Sequence, residues 1–383
     1  MAQLPTAGRV PVQGSGNGEE QMLARLLTVA EYEEPARARL PAPVWDFLAG
    51  ASGTETLPRA VRQALDRVRL RPSVLVDVDR VDPAAELLGA ALGMPVGIAP
   101  MAYHRLCDPQ GEVATARAAG AQGALFIASI FASRTLEEIA AAGAGPCWLQ
   151  LYWLRRREAL IQLIARAEAA GFRALVLTVD APQVARRLRD DRNAFTLPDH
   201  VHAVNLDPEL MTASHVRQDG RSAIVRHARE QFDASITWSD LGWLRRQTSL
   251  PLVLKGILTS EDARRAVDAG AAGIVVSNHG GRQLDGAIPA ITALPEITAA
   301  VRGRCAVLVD GELRTGVDVL KVLALGADAA LLGRPALWGL AVAGEAGVSA
   351  LLALLREELT EAMALAGRPR VRDVDRGLVR VLG

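Results

Sequence analysis

The chain has 383 residues, half of them hydrophobic, enough for the core of one large α/β domain. Lysine plus arginine equal aspartate plus glutamate at 43 each, so the formal net charge is zero, which argues against nucleic acid or an anionic membrane surface as a general partner. Three scattered cysteines, Cys107, Cys147 and Cys305, make no disulfide framework. No Cys/His group has zinc spacing, so no metal is expected.

Residues 1–20 are rich in Gly, Pro and polar residues and read as a disordered tail without a charged-then-apolar leader pattern. No apolar run reaches the ~18 residues of a membrane span, and the expected location is cytoplasmic. Residues 21–92 read as a helical extension, and 93–383 as the main body with C-terminal helices. In that body a unit recurs: an alanine-rich helix ends in Gly and a short apolar run follows. Its joints lie at 118–129, 141–152, 169–180, 268–280 and 324–334. Glycine suits the left-handed residue that closes a helix, and an unbroken apolar run suits a strand covered on both faces. The strands fall at 94–101, 123–129, 146–152, 173–180, 250–256, 272–278, 304–310 and 328–333. Eight such units predict a (β/α)8 TIM barrel, with a doubly wound open sheet as the competing arrangement. The long connection 181–249 holds a predicted helix near 239–247, and 193–235 reads as a lid-like loop.

Barrel chemistry sits at the C-terminal ends of the strands, and each strand here ends in polar or small residues. They are Met101-Ala102, Ser129, Gln150 with Tyr152, Thr178 with Asp180, Lys255, Ser277-Asn278-His279, Asp310-Gly311 and Gly333-Arg334; Arg282 and Arg314 lie just beyond. Any one of these is compatible with a satisfied core residue; eight together describe a ring of donors around one ligand. Barrels of this kind commonly bind phosphate after the last two strands. Gly311, Gly333, Arg314 and Arg334 offer bare backbone and guanidinium forks there, although surface arginines paired with acids are the plainer alternative. No G-x-G-x-x-G follows a strand, which disfavours a nicotinamide dinucleotide.

The segment SNHGGRQLDG (277–286) resembles the FMN-dependent 2-hydroxy-acid oxidase and dehydrogenase family, which includes glycolate oxidase, lactate oxidase and mandelate dehydrogenase. Supporting segments run in order from 39–57 through 98–119, LQLYW (149–153), LTVDAP (177–182), RRLRDDRN (186–193), VLKGI (253–257) and LVDGELRTG (308–316) to LGRP (332–335). The resemblance implies FMN as cofactor. Ala99, Pro100, Met101, Ala102, Ser129, Gln150, Thr178, Lys255 and Ser277 would hold its ring and ribityl chain. Asp310, Gly311, Arg314, Gly333 and Arg334 would hold the phosphate end. It further implies His279 as base, Asp180 as its orienting acid, Arg187 and Arg282 as the carboxylate clamp, and Tyr152 as a substrate hydrogen-bond partner.

Three positions depart from the family pattern. Phe47 stands where many members have tyrosine, Glu312 stands where Asp-Gly-Gly is usual, and the stretch near 49–54 is one residue short. Phe47, Ala102, Tyr103, Phe131, Tyr152 and Trp153 together resemble the 4-hydroxymandelate oxidase branch, which implies an aromatic substrate contacting Phe47 and Tyr103. The expected acceptor is O2. A dehydrogenase serving a quinone or protein and a non-catalytic flavin-binding barrel are the alternatives. The Arg187 and Arg282 pattern disfavours a type 2 isopentenyl diphosphate isomerase. Family members imply a homo-oligomer, a tetramer or octamer.

Overall fold

The computed structural model describes residues 18–206 and 231–382. Helix Gly18–Leu23 opens the described chain, so residues 1–17 of the expected tail lie outside it, as do residues 207–230 of the expected lid. Helices Glu33–Arg39, Ala42–Ala49 and Thr56–Arg67 follow. Strand β1 (Val68–Leu70) then leads to a small hairpin of β2 (Ala85–Leu87) and β3 (Ala90–Leu92). Eight parallel strands come next: β4 (Val96–Ile98), β5 (Leu125–Ser129), β6 (Cys147–Leu151), β7 (Leu175–Thr178), β8 (Leu252–Ile257), β9 (Gly273–Val276), β10 (Ala306–Asp310) and β11 (Ala329–Leu332). They close in sequence order, with β11 pairing back onto β4. Strand β12 (Val379–Val381) returns to pair antiparallel with β1, tying the chain's end to its N-terminal extension.

The expected barrel is therefore the observed fold. Seven strands lie inside their predicted runs, and β8 extends one residue past its own. They are shorter than the apolar runs because the ends of those runs turn out of the sheet to form the mouth. The sequence reading foresaw neither the β1–β12 pair nor two further features. The β2–β3 hairpin packs Leu87 and Leu92 against Leu125, Trp148, Val253 and Leu308, so it closes the bottom of the barrel interior. In the connection after β7, residues Leu188–Asn193 form a helix that packs on Ala42–Ala49. The helix expected near 239–247 is present at Leu241–Arg245.

Contrary to the sequence expectation, one segment does have the length and hydropathy of a membrane span: helix Arg334–Leu365. It is broken at Ala343 and Gly344 and buries its apolar side on Glu112–Ala121, Gly316–Ala324 and the N-terminal helices. That packing is how a core helix escapes water. The N-terminal extension thereby reaches the mouth, where it delivers Glu33, Phe47 and Gly50.

Candidate active site

Side chains on a barrel strand alternate between the interior and the helix layer. The interior set here includes Ile127, Trp148, Val176, Val253, Val275, Leu308 and Leu331. Two residues further along each strand the same inward parity gives Ser129, Gln150, Thr178, Lys255, Ser277, Asp310 and Gly333. The polar ring is thus the top layer of the core, and several of its members bond one another. Ser129 Oγ donates to Gln150 Oε1 at 3.1 Å, and Gln150 Nε2 donates to Thr178 Oγ1 at 3.0 Å. Lys255 Nζ lies 2.8 Å from Asp310 Oδ2 and 2.6 Å from Ser277 Oγ. Burial alone would lower the Lys255 ammonium, but the Asp310 and Asp180 carboxylates hold it above its usual value, so it is a fixed cation.

His279 sits in a turn after β9 where three successive residues, His279, Gly280 and Gly281, have φ of 59°, 62° and 75°. That turn throws the imidazole over the mouth. Nδ1 meets Asp180 Oδ1 at 2.8 Å, which leaves Nε2 facing the cleft. Burial would raise the Asp180 carboxyl, yet the His279 charge and hydrogen bond, with Lys255 beyond, hold it below its ordinary value. The pair has base-plus-orienter geometry. Tyr152 Oη is 3.5 Å from His279 Nε2, too far for a strong bond, so both remain available to an oxygen placed between them. Burial, then the Asp180 charge, pushes the Tyr152 phenol up, which keeps it a neutral donor.

Across the mouth lies a cluster of cations. The guanidinium carbons of Arg187 and Arg282 each stand 5.4 Å from the Phe47 ring centroid. Arg282 Nη1 donates to Gly50 O at 2.7 Å, and buried Asp190 lies 3.4 Å from Arg187 Nε. Burial, then the charges of Arg187 and Arg334, pushes Arg282 well below its usual value. Such a site gains from an added anion. Phe47 stacks on Phe195 at 4.6 Å, while Phe131, Tyr152 and Phe232 form an aromatic wall, with Tyr152 and Phe232 rings 4.4 Å apart.

Most of the remaining predicted residues line the same cleft, which is open at its rim. Ala99, Pro100, Met101, Ala102 and Tyr103 form one side; Gly311, Arg314, Gly333 and Arg334 form the end beside β10 and β11. Ser277 is fully buried behind Lys255 and does not reach the cleft wall; its hydroxyl also accepts the His279 N–H at 3.0 Å. Asp180 likewise acts from behind His279. Trp153 departs from its expected place: it packs against Trp243 and Arg157, away from the cleft. His104 is buried on Thr115, 2.9 Å from Nδ1 to Oγ1, outside the cleft. His215 and His227 lie outside the described residues.

The cleft suits FMN. Buried Asp310 Oδ1 has no partner and would accept from a ribityl hydroxyl. Gly311, at φ 121°, and Gly333 present backbone without a Cβ beside Arg314 and Arg334. The ring of Ser129, Gln150, Thr178 and Lys255 supplies donors along the floor. At the phosphate end Glu312 intervenes: its carboxylate oxygens lie 2.9 Å from Arg314 Nη2 and 3.0 Å from Arg334 Nη1.

Sequence reasoning missed Asp190, whose burial depends on the unforeseen helix, and Gln283, whose Nε2 donates to Asp180 O at 3.1 Å. It also missed the Gly50 carbonyl, which accepts from both Arg282 and Arg334. All three stand inside segments that carry the family resemblance, the one signal available.

Comparison with known proteins agrees with this geometry. The family model described as "FMN-dependent dehydrogenase" matches residues 36–381. A 4-hydroxymandelate oxidase of Amycolatopsis orientalis is 53% identical over 89% of this chain and 94% of its own length. An L-lactate oxidase of Nostoc sp. is 45% identical over 91% and 96%. A crystal structure of mandelate oxidase with (S)-4-hydroxymandelic acid superposes with a TM-score of 0.89 at 50% identity, covering 92% of this chain and 98% of the other. With a closed barrel, a donor ring, a His–Asp pair and an arginine clamp at one mouth, the chain belongs to the FMN-dependent dehydrogenase family, and FMN is its cofactor.

Proposed function

We propose that this enzyme oxidises an aromatic (S)-2-hydroxy acid, of the mandelate or 4-hydroxymandelate type, to the 2-oxo acid, with O2 as acceptor and H2O2 as the second product. The observation that carries the reading is the pairing of a poised imidazole with two guanidiniums that share one cleft. A carboxylate on Arg187 and Arg282 is held bidentate. That anchoring leaves the 2-hydroxyl to His279 Nε2 and Tyr152 Oη. His279 takes the hydroxyl proton, Asp180 supports the resulting imidazolium, and Tyr152 donates to the oxygen. FMN supplies the two-electron acceptor for the C2 hydrogen. Lys255, a buried cation beside the flavin floor, favours negative charge arising there. Such orientation is a large part of the rate.

Two things support the aromatic side chain. Phe131, Tyr152 and Phe232 form an apolar wall, and the relatives' names include 4-hydroxymandelate oxidase. Phe47 removes a hydroxyl that a tyrosine would offer the carboxylate, a loss of about 0.5–1.5 kcal/mol for a neutral hydrogen bond, and makes the pocket more apolar. The test is peroxide production in air with (S)-4-hydroxymandelate, (S)-mandelate, L-lactate and glycolate. The aromatic acids should show kcat/KM at least about tenfold above the aliphatic ones, in line with burial of a ring. A preference for lactate or glycolate contradicts the aromatic assignment. Turnover that needs a quinone and yields no peroxide contradicts the acceptor.

A further inference from the structure

We propose that Glu312 is a built-in counter-ion of the phosphate site, displaced whenever FMN binds, and that it lowers this chain's affinity for FMN specifically through the phosphate. The inference rests on the flavin-site reading above. Arg314 and Arg334 are the cations at the end of the cleft beside the bare backbone of Gly311 and Gly333. The Glu312 carboxylate bridges them, one oxygen on each, at 2.9 and 3.0 Å, with the side chain only 7% exposed. Arg314 is also 3.3 Å from Glu33. Two cations therefore already face two carboxylates, and the site is locally neutral before a phosphate of charge about −1.5 to −2 arrives. Two anions cannot share the same guanidinium forks without repulsion.

The Glu312 backbone is fixed in this place. Arg62 Nη1 donates to its carbonyl at 3.0 Å and is itself paired with Asp318 at 2.7 Å. Glu312 has φ of 51°, a left-handed conformation that favours glycine. The chain thus holds a glutamate at a strained position, aimed at the two arginines, where the family's Asp-Gly-Gly pattern has no side chain at all.

Riboflavin, which lacks the phosphate, separates this effect from the rest of the site. The experiment titrates the full-length chain, stripped of flavin, with FMN and with riboflavin. Quenching of flavin fluorescence reports binding for wild type, Glu312→Gln and Glu312→Gly. Both substitutions should tighten FMN by at least about tenfold and leave riboflavin affinity unchanged. Glutamine keeps the side chain's size, and riboflavin binding reports an intact fold, so a misfolded glycine variant does not spoil the test. Unchanged or weaker FMN binding in Glu312→Gln, with riboflavin binding retained, overturns the proposal and makes Glu312 a positioning residue for the arginines. Failure of every form to bind either flavin overturns the flavin-site reading and this inference with it.

Discussion

His279 reaches the mouth only because its own backbone and the two glycines after it adopt positive φ. Histidine is among the residues that tolerate this region, so the NHGG segment is both a turn and, on the function proposed, the placement of the base. Its imidazole is held by Asp180, a partly buried acid kept ionised by His279 and Lys255. The sign of the pH effect follows. The Asp180 folded-state pKa lies below its ordinary value of 3.8, so the unfolded chain takes up the proton first. The stabilisation is whole above the ordinary value and is lost as pH falls through the lowered one. Asp180→Asn should therefore remove part of the acid-side decline. Its urea midpoint should fall less than the wild type's between about pH 5 and about pH 3. Parallel declines would show that Asp180 is not held ionised by its neighbours.

At the scale of elements, β8 shows how a strand is bent to serve the site. Its pairing with β9 shifts register between Lys255 and Ile257, and Gly256 at the shift has φ of 112°. A Cβ on Gly256 would stand 2.4 Å from the Asp180 Cβ. The glycine thus lets Lys255 point inward while Asp180 passes close behind. Gly256→Ala should cost about 1–3 kcal/mol of stability and lower kcat more than KM, because it displaces the acid behind His279. A variant with wild-type kcat would show that the close approach is dispensable. VLKGI displays that glycine in the sequence but not its reason, which lies in a residue 76 positions earlier. The β2–β3 hairpin was unreadable for a simpler cause: each strand has three residues, too few to show a period. Asp190 was hidden in a run of charges that looks like a solvated face. It is buried where Leu188–Asn193 docks onto Ala42–Ala49.

Across the whole molecule, five helix-to-strand joints, three similar apolar runs and the polar residues that end each strand made the barrel and its mouth legible. Strand parity places Ser129, Gln150, Thr178, Lys255 and Asp310 in one layer. What the sequence did not show is the contribution of distant segments. Glu33, Phe47 and Gly50 come from the N-terminal extension, where Glu33–Arg39 packs on helix Arg334–Leu365 and Ala42–Ala49 packs on Leu188–Asn193. The family resemblance supplied Phe47 as a substrate contact; the structure adds that both guanidiniums stand 5.4 Å from its ring centroid.

The central claim is that the His279 imidazole moves the proton while bound FMN takes the electrons at the same mouth. Anaerobic mixing with (S)-4-hydroxymandelate, followed by flavin absorbance, measures that step directly in wild type and His279→Ala. The wild type should bleach in a single turnover. The variant should retain its flavin and bleach more slowly by about 10²–10⁴-fold, the usual contribution of a positioned base. Bleaching of flavin-loaded His279→Ala at the wild-type rate would contradict the account.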